Sequence, residues 1–239
     1  MGEKRMSELH TGHFRHEYKY PLTHGERMIE EARIRSLMKK DKYVGVKGYY
    51  TIRSLYFDDY ENNAYVDNIN GTDNREKFRI RIYNADASVI KLEAKKKYRG
   101  MTQKSSCKIS VEQCRSLMEG EAPKEIGQEQ VVLQKLCILM KSKLMKPVVI
   151  VEYDRIPYVY RRKDANVRVT FDSNIVACKD ADAFLEDKIL GRRILPHGKG
   201  LMEVKFDGFL PDEIYALLKL ENLSINSFSK YALCRRYMV

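Results

Sequence analysis

The stretch that most constrains the fold is residues 77–97, KFRIRIYNADASVIKLEAKKK, in which polar and apolar side chains alternate twice over with a period of two. Lys77, Arg79, Arg81 and Tyr83 fall on one face, opposite Phe78, Ile80 and Ile82. Further on, Lys91, Glu93, Lys95 and Lys97 share a face opposite Leu92 and Ala94. Successive side chains of a pleated strand point to opposite sides, so this predicts two strands with one buried face, joined by the polar turn Asn84-Ala85-Asp86-Ala87-Ser88. The other face carries six cations against one carboxylate. Like charges facing one another weaken a sheet. A polyanion held against that face would offset the repulsion.

The rest of the chain supplies similar strands and a few amphipathic helices. Phe14–Tyr20 reads as a strand with Arg15, Glu17 and Lys19 on one face, and Thr23 with Glu26 forms a capping-box signal for the helix ERMIEEARIRSLMKK. A strand at Tyr49–Phe57 leads to a short helix or turn opened by Asp58-Asp59-Tyr60-Glu61 and reaching Asn68. Thr102–Val111 is a strand with Lys104, Ser106 and Lys108 on one face; Ser110 and Gln113 then cap a helix ending at Gly120. Residues 127–145 read as a long helix stopped by Pro147. Strands follow at Val148–Tyr160, Asn166–Asp172 and Leu201–Asp207, and the last two bury Val167, Val169, Phe171, Met202, Val204 and Phe206. A helix from Pro211 through Leu220 and a final helix over Ser224–Tyr237, containing Ser229 and Lys230, complete the chain. Strands that do not alternate regularly with helices indicate an α+β protein on an antiparallel sheet.

Charge narrows the partner. The 239 residues carry a net charge of +11 and a pI near 9.3, which favours an anion: nucleic acid, a phosphate compound or an acidic membrane surface. No stretch approaches the roughly 18 apolar residues of a membrane span, and residues 1–13, read as a disordered polar tail, lack the apolar core of a secretory signal. Five cysteines without a CxxC pair fit reduced thiols in a cytoplasm. His10, His13 and His16 are spaced by three, but no fourth ligand supports zinc. Gly198-Lys199-Gly200 lacks the upstream glycine and the Ser or Thr of a P-loop. Without Trp, an aromatic RNA-binding sheet or a basic recognition helix, nucleic acid is excluded as the partner.

Three strands share one pattern: Glu17-Tyr18-Lys19, Glu93-Ala94-Lys95 and Glu203-Val204-Lys205. Residues two apart face the same side, so each strand supplies an acid and an ammonium to one surface. Arg79, Arg81, Arg155 and Arg168 add guanidinium forks suited to phosphate oxygens, while the carboxylates suit a divalent metal bridging phosphates. Metal-dependent phosphoryl transfer needs such a set, because the protein's task there is positioning and charge stabilisation. The plainer alternative is a sheet with one solvated, charged face. Against it stand the sign imbalance and its recurrence; in a closed barrel the shared face becomes a lumen.

The segments FRHEYKY, SLYFDDYENNAY, REKFRIRIY, KLEAKKK, EYDRIPY, VRVTFD, MEVKF and SFSKYALCRRY resemble, in order over residues 14–237, the signatures of the VTC domain. This is the polyphosphate polymerase domain of the vacuolar transporter chaperone family, among the triphosphate tunnel metalloenzymes. The resemblance implies a single domain over residues 14–239: an eight-stranded antiparallel closed β-barrel with helices packed outside. It further implies polyphosphate synthesis by transfer of the γ-phosphoryl of ATP, with Mn²⁺ or Mg²⁺. Arg79, Arg81, Arg155, Arg168 and Lys230 would be catalytic. Lys19, Lys95, Lys97, Lys104, Tyr153, Lys205 and Ser229 would hold phosphates, and Glu203 would bind the metal, with Glu17 and Glu93 as further metal candidates. Tunnel hydrolases and cyclases commonly begin with ExExK; here Arg15 replaces the first acid, which fits the polymerase branch better. A tripolyphosphatase or nucleoside triphosphatase in the same tunnel, or a non-catalytic polyphosphate-binding domain, are the alternatives. Without the phosphate-sensing SPX module and membrane helices of the eukaryotic complex, coupling to translocation would need a separate membrane partner. The expected location is cytoplasmic, at the inner membrane face if that partner recruits it.

Overall fold

The computed structural model describes residues 15–162, 165–219 and 223–238. The tail expected over residues 1–13, with His10 and His13, lies outside them.

The central alternating stretch forms β4 (Arg75–Tyr83) and β5 (Asp86–Tyr98), and β5 continues by a second tight turn into β6 (Met101–Ile109). Both turns are two residues long, and the first is shorter than the five-residue turn expected over Asn84–Ser88. Asn84 and Ala85 have φ of 53° and 56°, and Arg99 and Gly100 have 49° and 76°. Two successive left-handed residues match the twist of antiparallel strands. Asn84 also ties the hairpin sideways: its backbone N–H donates to Thr51 O and its Oδ1 accepts from Thr51 N, both at 2.9 Å.

The neighbours are β3 (Tyr50–Asp58), β7 (Lys146–Arg161), β8 (Asn166–Cys178), β10 (Lys199–Phe206) and β1 (His16–Thr23). The antiparallel order is β1-β10-β8-β7-β3-β4-β5-β6, with two-residue strands β2 (Lys39–Lys40) on β7 and β9 (Arg192–Arg193) on β8. Neither short strand is signalled by the sequence, because two residues carry no period. The sheet curls until its two edges meet at one point. Arg15 and Thr102 exchange backbone hydrogen bonds of 3.0 and 3.1 Å, and among the described residues this bridge alone joins the edges by backbone pairing. The expected closed barrel is therefore corrected to a curled half-barrel. Only the first residue before β1 reaches β6, so no ladder forms along the seam.

Two apolar cores line the convex side. Leu55, Phe57, Phe78, Ile80, Ile82, Ile90 and Leu92 pack beneath α3 (Val111–Met118) and α4 (Val131–Lys143). Tyr20, Leu22, Tyr158, Val167, Val169, Phe171, Met202 and Val204 pack beneath α1 (His24–Ile34) and α5 (Asp212–Leu218). Alternation chose these faces: Ile80 and Leu92, opposite each other in register, are both fully buried. Both capping boxes form as expected, Thr23 with Glu26 and Ser110 with Gln113.

Several helix limits differ from the sequence reading. α1 stops at Ile34, and α4 begins at Val131 and ends where Leu144 turns left-handed, before Pro147 is reached. The final helix, α6 (Lys230–Arg236), starts six residues later than expected. The preceding segment is drawn onto β1, where Asn226 N–H donates to Lys19 O at 2.9 Å, and Ser229 caps the helix by accepting from Ala232 N. α6 lies inside the curl. Tyr231 and Cys234 pack with Ile52, Tyr56, Val149, Val151, Tyr153 and Ala177 in a third core. Beside it, α2 (Asn63–Ile69) is capped by Asp58, which accepts from Ala64 N and Tyr65 N and from the Tyr231 hydroxyl.

Candidate functional site

The register places the charged faces of all eight strands on the concave side. Lys77, Lys95 and Lys104 stand level across β4, β5 and β6, and Arg79, Glu93 and Ser106 form the next row. On the other half, Lys19 faces Glu203, Lys205 faces Arg168, and Arg155 faces Asp172. Side chains from strands that are not neighbours also touch: Arg155 of β7 reaches Glu203 of β10 at 3.1 Å, and Lys95 of β5 reaches Glu17 of β1 at 2.8 Å. Contacts over an intervening strand require a concave surface.

Four carboxylates organise the cations into three clusters. Glu93, 1% exposed, accepts from Arg79 Nε at 2.8 Å and Lys104 Nζ at 3.1 Å, with Arg81 Nη1 3.5 Å away. Arg79 also donates to the Tyr56 hydroxyl at 2.9 Å and Arg81 to Ser54 Oγ at 3.3 Å. In the second cluster Arg155 grips Asp172 through two bonds of 2.6 Å, the fork-on-fork geometry that fixes a guanidinium plane. Lys230 bridges Asp172 and Glu203, and Lys205 also donates to Glu203. The Lys230 ammonium lies 4.8 Å from the centre of the Tyr153 ring, and Arg155 lies 5.2 Å from it. In the third, Glu17 pairs with Lys95 and with Lys19 at 3.1 Å.

The three glutamates among these acids are held ionised by their neighbours. Burial pushes the Glu203 carboxyl up, but Lys205, Lys230 and Arg155 together outweigh it and hold it well below the usual carboxylate range. Glu93 and Glu17 follow the same balance, with Arg81, Arg79 and Lys104 around the first and Lys95, Lys19 and Lys205 around the second. Lys95 is pushed down to about 8, burial outweighing Glu17.

Fourteen of the fifteen residues singled out from the sequence fall within or beside these clusters. Ser229 and Lys230 enter from α6, Lys19 donates to Phe228 O at 2.8 Å, and Arg168 stands at one rim, held by Asp41 at 2.9 Å and the Tyr50 hydroxyl at 3.0 Å. Lys97 is set apart, opposite Arg75 and Thr102 where the seam bridge lies. The site list from sequence lacked Asp172, Tyr50, Tyr56, Thr170 and Lys77. Alternation in NVRVTFD did put Thr170 and Asp172 on the Arg168 face; nothing local marked Asp172 as the partner of Arg155.

Among the described residues no group of three His, Cys, Asp or Glu side chains is placed to hold a metal ion. The donors do fit a divalent cation that arrives with phosphate. Asp172 and Glu203 share two cationic partners, and Thr170, opposite Glu203, keeps a buried hydroxyl without a partner. Hard oxygens of this kind, completed by phosphate oxygens, suit Mg²⁺ or Mn²⁺.

No curated protein sequence matches the chain. Solved structures similar to it include an adenylate-cyclase-type protein of Bacillus halodurans (TM-score 0.47, 13% identity, covering 87% of this chain and 90% of that one). Another is PH1819 of Pyrococcus horikoshii (TM-score 0.46, 16% identity, 93% and 99% covered). A third is a Hippeastrum protein of adenylyl-cyclase type described with a dominant triphosphatase activity (TM-score 0.48, 13% identity, 94% and 95% covered). The family comparison reaches nearly the whole chain, matching residues 14–239 to the VTC domain, and the protein belongs to that family.

Proposed function

We propose that residues 14–239 form one catalytic domain that makes polyphosphate from ATP. The observation that carries this reading is the convergence of Arg79, Arg81, Arg155, Arg168 and Lys230 with Glu203 on one concave face. A terminal phosphate oxygen of the growing chain attacks the γ-phosphorus, the bond to the β-bridging oxygen breaks, and ADP leaves. No side-chain nucleophile is required. The guanidinium groups, already aimed by Glu93 and Asp172, meet the charge that builds on the transferred phosphoryl oxygens without reorganising at the moment of reaction. Lys19, Lys95, Lys97, Lys104, Lys205, Tyr153 and Ser229 position the chain along the face. Glu203, with Asp172 and Thr170 beside it, would hold Mn²⁺ or Mg²⁺, which supplies charge neutralisation of the phosphates when bound. Glu17 and Glu93, engaged by cations as Glu203 is, are further metal candidates and also aim the phosphate-binding side chains around them. Closure of the curled sheet around substrate along the β1–β6 seam would complete a tunnel. Arg15, where related tunnel enzymes have an acid, instead pairs with Asp207 at 2.7 Å, which removes a metal ligand and supports synthesis over hydrolysis.

No helix among the described residues is long and apolar enough to cross a membrane. We place the domain in the cytoplasm, with any translocation left to a separate membrane partner.

Incubation of the pure protein with ATP and Mn²⁺ should yield ADP and acid-stable phosphate chains resolvable on a gel. Glu203→Gln should lower that rate by about 100-fold or more. Stoichiometric free phosphate without chains would replace the polymerase by a triphosphatase. Tight polyphosphate binding without turnover would leave a binding domain.

A further inference from the structure

The clusters above account for much of the concave charge; of the cations on that face outside them, which include Arg75, Lys77, Lys91 and Lys97, it is Lys77 that stands beside α6. Arg79, Arg81 and Lys104 are taken up by Glu93; Arg155, Lys205 and Lys230 by Glu203 and Asp172; Lys19 and Lys95 by Glu17; Arg168 by Asp41. Among the described residues no ion pair joins Lys77 to a carboxylate. Its ammonium donates instead to Ser229 Oγ at 3.4 Å and lies 5.5 Å from the centre of the Tyr231 ring. Directly opposite in register stands Lys95, with Lys104 beyond it. Partly buried cations without a counter-charge are costly, and the fold retains this one among others.

We propose that Lys77 is a phosphate-binding residue and that, with Ser229 and Lys19, it forms an anion subsite beside α6 taking one phosphate unit of a linear polyphosphate. This rests on the polyphosphate reading above and adds to it a place on the face for the chain. The donors are ready. Ser229 Oγ accepts from Lys77 and from Ala232 N, so its own O–H is left to donate. Lys19 donates to Phe228 O and to Glu17, which leaves a third N–H. The charge state of Lys77 also responds to such a ligand. Burial, then Lys95 of β5, Lys19 of β1, and Arg75 and Arg79 of its own strand hold its ammonium well below the usual lysine value; the Tyr231 ring of α6 is its remaining neighbour. An anion beside it opposes that lowering, so at a pH near the lowered value binding takes up a proton.

Calorimetric titration with tripolyphosphate in two buffers of different ionisation enthalpy tests this without turnover. Wild-type protein should bind with net proton uptake; Lys77→Met should bind about ten-fold more weakly and take up fewer protons. In the unmodified protein, cyanate near neutral pH should carbamylate Lys77, and saturating tripolyphosphate should protect it, as read by peptide mass spectrometry. Unchanged affinity and proton uptake in Lys77→Met, or carbamylation of Lys77 indifferent to tripolyphosphate, overturns the subsite and leaves the functional reading standing. Wild-type protein that binds no tripolyphosphate overturns both.

Discussion

At the scale of single residues, Glu17, Glu93 and Glu203 are each a compromise between desolvation and several cations, and the cations win. The pH consequence has a definite sign. Because the Glu93 carboxyl titrates lower in the folded chain than the usual 4.5, it contributes stability that is fully present above that value. That stability is lost as pH falls through the lowered folded value. Glu93→Gln leaves Arg79, Arg81 and Lys104 around a neutral amide, and breaking such a buried set costs about 3 kcal/mol. Urea unfolding at pH 7 should show that loss, and the difference from wild type should shrink as the pH is lowered below 4.5. Identical curves at pH 7 would mean that solvent screens the cluster. The lysines and arginines themselves were legible in the sequence, since period-two alternation fixes which side each takes. Their individual partners were not, because a partner lies on another strand.

Elements are set by local chemistry more completely, with instructive exceptions. The β4–β5 turn needs two left-handed residues and supplies Asn84, which tolerates that conformation, followed by Ala85, which does not. Ala85→Gly should therefore stabilise the fold by about 0.5–1 kcal/mol, read as a raised urea midpoint with unchanged slope. α6 is the opposite case. The sequence reading begins it at Ser224, yet residues 224–229 stay outside the helix, Asn226 is bonded to β1, and the Ser229 cap defines the start. What seats it is Asp58, fully buried, which accepts from α2 backbone groups and the Tyr231 hydroxyl. Asp58→Ala orphans these donors and should cost about 2–4 kcal/mol in chemical denaturation. Lys230 sits next to Tyr231, so the same variant should weaken tripolyphosphate binding although residue 58 touches none of the site. Retained affinity would show that Lys230 is placed by Asp172 and Glu203 alone.

For the whole molecule, the excess of positive charge on one concave face makes the ligand part of the stability argument. A polyanion that binds only the folded chain stabilises it by about 2.7 kcal/mol at a hundred times its Kd. Tripolyphosphate should accordingly raise the melting temperature by several degrees, and by less as salt is added, because screening weakens the attraction. A salt-insensitive rise, or none, would count against a polyanion on this face.

The sequence by itself determined the eight long strands in outline, which face of each carries charge, both helix capping boxes and the family signatures, because these depend on side chains a few residues apart along one chain. The tertiary structure alone decided that Asp172 grips Arg155, that Lys77 has no ion pair among the described residues, and that the edges of the half-barrel touch at one bridge, Arg15 to Thr102. Those outcomes depend on the order and curl of strands distant in sequence, and a period of two carries no information about either.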